Sequence, residues 1–136
     1  MRIKHLSRHE GGTAVIELAL VLPLMSMLMA SILSYGVFFW RAHALQEAAS
    51  SATRAALAGV TIGERSRYLN DALDQELPQL SGLRSAEVSR SIVDTGTTLT
   101  LDLSYDGSRD MLMGAGLVPL PQSVIRRRAV IRLAGL

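Results

Sequence analysis

Apolar positions follow three different rules along this chain, and each rule predicts a different element. From Leu18 to Trp40 no charged residue interrupts them. A helix over that run would rise roughly 35 Å at about 1.5 Å per residue. That exceeds the roughly 30 Å hydrocarbon core of a bilayer, so a tilted membrane span is expected. Phe38, Phe39, Trp40 and Arg41 at its end have the chemistry of an interfacial anchor. The helix is expected to continue over Arg41–Ala58, whose Leu45, Ala48, Ala49, Ala52, Ala55 and Ala56 form one small apolar face, with Gly59 as its C-cap. From Thr13 to Ala58 such a rod would measure roughly 70 Å.

Gly59–Gly63 then reads as a break, followed by a second helix over Glu64–Leu77 that Pro78 ends. Leu69, Ala72, Leu73 and Leu77 share its apolar face. Beyond Ser81-Gly82 the period changes to two. Ala86, Val88 and Ile92 alternate with polar residues, broken by Arg90, and Asp94-Thr95-Gly96 has turn chemistry. Leu99, Leu101, Leu103 and Tyr105 then alternate with Thr98, Thr100, Asp102 and Ser104, so the pair reads as a hairpin. Asp106–Gln122 is rich in Gly and Pro and reads as loop. Its apolar Met111-Leu112-Met113 is expected to cap the core, with a membrane or partner contact as the alternative. A last strand over Val124–Leu133 is expected to turn Ile125, Ala129, Ile131 and Leu133 inward and Arg126, Arg128 and Arg132 outward.

The expected fold is therefore α+β: a long N-terminal transmembrane helix, then a small domain with a second helix and a three-stranded antiparallel sheet. The divisions are a basic leader over 1–12, the span over 13–40, an extracytoplasmic extension over 41–58 and the small α+β domain over 59–136. Positive charge at Arg2, Lys4 and Arg8, against Arg41 and Arg54 after the span, favours a cytoplasmic N-terminus.

Composition narrows the chemistry. With 136 residues, one span and one small domain are the limit, and a net charge of +2 spread along the chain argues against a nucleic-acid footprint. There is no cysteine, hence no disulfide framework, thiolate nucleophile or thiolate metal site. The three histidines are His5, His9 and His43, the first two in the leader, and His43 has no partner at ligand spacing. Asp71, Asp74 and Glu76 read as a solvated helix face. No GxSxG, phosphate-binding loop or HExxH is present, so no catalytic residue, cofactor or metal is expected.

The informative polar residue is Glu17, just inside the apolar run and the fifth residue after Gly12. A charged residue such as Asp costs about 2.5–3.5 kcal/mol at the centre of a membrane helix, and less near its end. Basic leader, glycine, four residues, glutamate and apolar helix together form the type IV prepilin pattern. The finer run E-G-G-T-A-V-I-E-L-A-L-V-L-P-L, with R-A-H-A-L-Q-E-A-A-S-S-A-T-R-A-A-L-A-G after the span, resembles the TadE-like proteins of tight-adherence (Flp-type) pilus systems. The resemblance implies cleavage by a prepilin peptidase between Gly12 and Thr13, leaving Glu17 at mature position five. It also implies a single-pass protein of the bacterial inner membrane and a role as a minor pseudopilin, with other pilin subunits, an assembly platform and membrane lipid as partners. Thr13 departs from the Phe or Met that begins the most familiar type IV pilins. A glutamate at that position does not readily reach its own N-terminus along a rigid helix. It can meet the new amine of a neighbouring subunit shifted along a filament axis, which neutralises two costly charges together.

Two further features are readable either way. Pro23 removes a backbone donor and is expected to kink or loosen the helix around Ala19–Leu22, as an ordinary membrane-helix proline or as a point where the helix stretches during polymerisation. Arg126-Arg127-Arg128 reads as a solvated strand face pairing across to Asp102, or as a docking surface for an acidic partner or lipid phosphates; nucleic acid is disfavoured by the absence of interleaved aromatics. The functional expectation is a structural pilus-assembly protein. The alternative is an unprocessed signal-anchored protein whose outer domain binds another envelope protein.

Overall fold

A computed structural model describes residues 10–110 and 123–133. Helix α1 spans Glu10–Ala56, 47 residues, and α2 spans Ile62–Glu76. Single 3-10 turns at Leu77–Gln79 and Ser85–Glu87 lead into strands β1 (Val88–Asp94), β2 (Thr98–Asp106) and β3 (Val124–Arg132). The three strands form one antiparallel sheet in the order β1-β2-β3. The fold is α+β, with α1 and α2 layered on one face of the sheet.

The core is built where three periodicities meet. Ala42, Ala44, Leu45, Ala48, Ala49, Ala52 and Ala56 of α1 are buried against Leu69 and Leu73 of α2, and against Leu99, Leu101, Leu103, Tyr105, Ile125 and Ala129 of the sheet. Alanines on α1 let both neighbours approach its backbone, while leucines opposite fill the space. Thr53 shares this buried face because its hydroxyl donates to the Ala49 carbonyl at 2.9 Å, which satisfies the polar group within its own helix.

The elbow between the helices departs from the sequence expectation. Helix α1 ends at Ala56, two residues early, and Gly59 has no left-handed backbone conformation. What Gly59 supplies is proximity: a Cβ built on it would lie 2.5 Å from the backbone nitrogen of Arg65. Helix α2 also starts two residues early, because Thr61 caps it. The Thr61 hydroxyl accepts from the Glu64 amide at 3.2 Å, and the Glu64 carboxylate accepts from the Thr61 amide at 3.0 Å. The amides of Thr61 and Val60 hold the Glu64 carboxyl below the usual carboxylate range. Gly59→Ala is expected to force α2 away from α1 and to cost about 1–3 kcal/mol, as overpacking does; a thermal melt of the full chain in detergent measures it.

The hairpin is as expected, with its turn at Thr95–Thr97 and Gly96 at φ +81°, a conformation that disfavours a side chain. Ala86 does not join β1; it lies exposed in the 3-10 turn before it. Arg90, which interrupts the alternation, points to the core face. It stands in register with Leu103, which in turn faces Arg127 on β3. The two arginines flank the central leucine and each grips a helix. Arg90 reaches Asp74 at 2.9 Å and Asn70 at 3.2 Å on α2, and Arg127 Nε donates to the Ala42 carbonyl of α1 at 3.1 Å. Inward-pointing charge on both edge strands also discourages edge-to-edge pairing with other chains.

Candidate functional site

The N-terminal half of α1 stands clear of the domain. Every residue from Gly12 to Met29 is exposed, and the large apolar side chains among them are 42–72% accessible. A helix apolar on all sides and enclosed by nothing is stable in hydrocarbon and not in water. Among the described residues α1 is the one helix long and apolar enough to cross a membrane, which is consistent with a single-pass anchor.

Burial along α1 begins at Ala30 and Ser31, which are half-buried, and at Ser34, which is 7% exposed. Tyr35, Phe38, Phe39 and Trp40 follow, with Tyr35 against Phe39 and Phe38 edge-on to Phe39. Arg41, expected to join them as an interfacial anchor, instead lies inside the domain at 6% exposure. Its guanidinium pairs with Asp110 at 2.6 Å and stacks over the Tyr105 ring. Burial pushes the Tyr105 hydroxyl above its ordinary pKa, with the nearby Arg41 charge opposing.

Helix α1 is continuous from Glu10 through Gly12 and Thr13, so no backbone break marks the expected leader junction. Glu17 is exposed among Ile16, Leu18 and Leu20 and has no ion pair or hydrogen bond among the described residues. Pro23 lies inside the helix without interrupting it. One turn on, the Ser26 hydroxyl donates to the Leu22 carbonyl at 2.8 Å, a polar contact satisfied within the helix. Residues 1–9 of the expected leader and Met111-Leu112-Met113 lie outside the described residues.

The basic run on β3 does not form one surface. Arg126 is exposed on the outer face, and Arg127 turns inward to α1. Arg128 forms a two-pronged ion pair with its register partner Asp102 at 2.6 and 3.1 Å, which raises its pKa. Asp71 pairs with Arg67 and Asp74 with Arg90, both in contact with solvent. Among the described residues no group of acidic or histidine side chains could hold a metal ion. His43 is exposed on α1.

Sequence reading missed the buried pair at the far end of the domain. Arg65, the fourth residue of α2, reaches Asp94 at the end of β1 at 2.7 Å and also donates to the Val60 carbonyl at 2.8 Å. The hydrogen bond from Arg65, with that from the Gly96 amide, holds the Asp94 carboxyl below its ordinary value against the opposing effect of burial. Nothing in either local pattern pairs two residues so far apart in sequence.

No curated protein and no solved structure matches the chain. Residues 12–54 match the family described as TadE-like protein, a structural family associated with tight-adherence pili. That stretch takes in the whole exposed half of α1 and nearly all of its packed half. The helix around which this protein is built is thus similar, over residues 12–54, to TadE-like proteins.

Proposed function

We propose that the protein is a minor pseudopilin of a tight-adherence pilus, processed by a prepilin peptidase between Gly12 and Thr13 and then drawn into assembly. The leader 1–12 stays in the cytoplasm, the span lies in the bacterial inner membrane, and the α+β domain stands outside. Other pilin subunits and the assembly platform are the partners. The observation that carries this reading is one carboxylate, Glu17, exposed on an otherwise apolar helix whose TadE-like match begins at Gly12.

The start of burial along α1 supports a position for that carboxylate within the membrane. A folded domain with exposed charges stays outside hydrocarbon, so we set the outer edge of the bilayer near Ser34, the first buried residue of α1. A core of roughly 30 Å takes about 20 residues of helix, which puts the inner edge near Ala14 and Glu17 about 5 Å inside. An ionised carboxylate there needs a partner. Cleavage supplies one, a new α-amine of pKa about 7.7–8.0, protonated at neutral pH. Held by a neighbour shifted along the fibre, the pair neutralises both charges and sets the axial register. Pro23, whose missing amide leaves one carbonyl of α1 without its helical bond, is where we place the stretch that such packing requires.

Sequencing the N-terminus of the protein recovered from membranes tests the reading. Thr13 as first residue is expected only when a prepilin peptidase is co-expressed. Retention of the leader with and without the enzyme would leave a plain signal-anchored protein.

A further inference from the structure

We propose that the open face of the sheet receives the helical face of a second copy of this chain, standing beside it in the same membrane. The proposal needs only the anchor, which holds all copies at one height and in one orientation. It depends neither on cleavage nor on entry into a pilus.

The open face is a bed of short side chains. Ser89 and Ser91 of β1 and Thr98, Thr100 and Ser104 of β2 lie on it, opposite the face that meets the helices. Val93, Thr100 and Val130 make a row in register across all three strands, with Val93 52% and Val130 54% exposed. On β3 that row is bracketed by Arg128 and Arg132, both exposed. A sheet with helices on one face and a low, partly apolar surface on the other is suited to a second helical layer.

The helical face carries the matching pattern. Glu64, Tyr68 and Asp71 recur at helical spacing on the exposed side of α2, with Tyr68 44% exposed. Acid, aromatic, acid on α2 therefore stand against arginine, valine, arginine on β3. Their heights agree too, and two ion pairs between α2 and the sheet supply the scale. Arg65 meets Asp94, whose row continues through Leu99 to Ile131. Asp74 meets Arg90, whose row continues through Leu103 to Arg127. Between these ties α2 advances about 13.5 Å at 1.5 Å per residue, and β3 about 13 Å at 3.3 Å per residue. On that scale Glu64 stands level with Arg132, Tyr68 with Val130 and Asp71 with Arg128, each within about 2 Å. Copies anchored at one height present the two triplets to each other without axial shift.

Charge favours the same occupant. Apart from the Asp74–Arg90 pair, the helical face exposes Glu47, Glu64 and Asp71 against Arg54 and Arg67. The sheet face sets Arg126, Arg128 and Arg132 against Asp102, so the two faces have opposite net charge. The uppermost pair is the strongest. Arg132 has no ion pair among the described residues, and the α2 cap uses only Oε2 of Glu64, at 3.0 Å from the Val60 and Thr61 amides. Because the contact joins two different faces, each copy keeps one face open for the next.

The chain has no cysteine, so single introduced cysteines report on the contact. Full-length chains carrying Tyr68→Cys or Val130→Cys, with different tags, are co-expressed in membranes and oxidised. A disulfide between the two kinds of chain is expected, and none between two chains of one kind. Arg132→Glu in the Val130→Cys chain is expected to lower its yield roughly tenfold, by turning attraction into repulsion. Glu64→Gln in the Tyr68→Cys chain keeps an oxygen for the cap and is expected to lower the yield roughly threefold. Absence of the mixed disulfide, equal yields for all three pairings, or a yield indifferent to both charge changes would overturn the proposal. So would a dominant disulfide between two Val130→Cys chains, which would assign the open face to a symmetric sheet-on-sheet contact.

Discussion

Glu17→Ala is expected to abolish co-purification with other pilus subunits while leaving the amount of protein in the membrane undiminished. The two halves of this result come from opposite signs of one charge. In an isolated subunit the carboxylate opposes insertion, at a cost below the about 2.5–3.5 kcal/mol of a helix centre because it lies near the inner edge. Removing it should therefore favour the anchored state. In an assembly the same carboxylate meets a neighbour's amine, and deleting one member of a buried pair costs about 3–5 kcal/mol by stranding the other. At about 1.4 kcal/mol per factor of ten, one contact is weakened at least a hundredfold, and a filament repeats that contact at every subunit. Glu17→Gln should behave the same way, since it keeps the shape and loses the charge. Full association of either variant would refute an assembly role for this residue.

The second large effect is expected at the opposite end of the domain. Asp94→Asn preserves the side-chain shape and an oxygen for the Gly96 amide, which donates to Asp94 at 2.8 Å. It leaves the Arg65 guanidinium without a counter-charge at a site where the two side chains are 10% and 3% exposed. A loss of about 3–5 kcal/mol is expected. In a domain of this size that lowers the melting temperature by more than 10 °C, at roughly 4–8 °C per kcal/mol. Acid titration should show the same interaction. Because the folded pKa of Asp94 lies below its unfolded value, the pair stabilises the domain fully above the ordinary carboxylate range. That contribution disappears as pH falls below about 4 and through the lower folded pKa. A wild-type melting curve that loses stability in that window, beside an Asp94→Asn curve that is flatter there, is the expected outcome. Parallel curves would assign the acid transition to other groups.

Much of the architecture is legible in the sequence because it rests on local rules. The charge-free run, the alternation over Leu99–Tyr105 and the Asp94-Thr95-Gly96 turn each specify an element without reference to the rest of the chain. The match at residues 12–54 falls on this same local pattern of glycine, glutamate, apolar span and alanine-rich extension. The errors are also local. Ending α1 at Ala58 and starting α2 at Glu64 misses that Gly59 has to admit the backbone of Arg65, and that Thr61 and Glu64 cap each other. The Thr61-to-Glu64 spacing is a capping box and was readable; the close approach at Gly59 was not.

Arginine marks the boundary between what the chain alone determined and what folding decided. Its sequence by itself specified a helix long and apolar enough to span a membrane, with one carboxylate inside the apolar run, a second helix and a hairpin, since periodicity and transfer cost depend only on neighbours along the chain. Whether an arginine faces water, lipid or protein depends on what lies opposite after folding. Arg41 looks like an interfacial anchor and is enclosed with Asp110 and Tyr105. Arg90 looks like a break in a strand and ties β1 to α2. Arg127 sits in a basic run and turns back to α1, and Arg65 on a helix finds Asp94 across the fold. A long side chain with a delocalised charge can lay its apolar stem along the core and still meet a carboxylate or a carbonyl at its end. Only the tertiary structure brings those acceptors within reach.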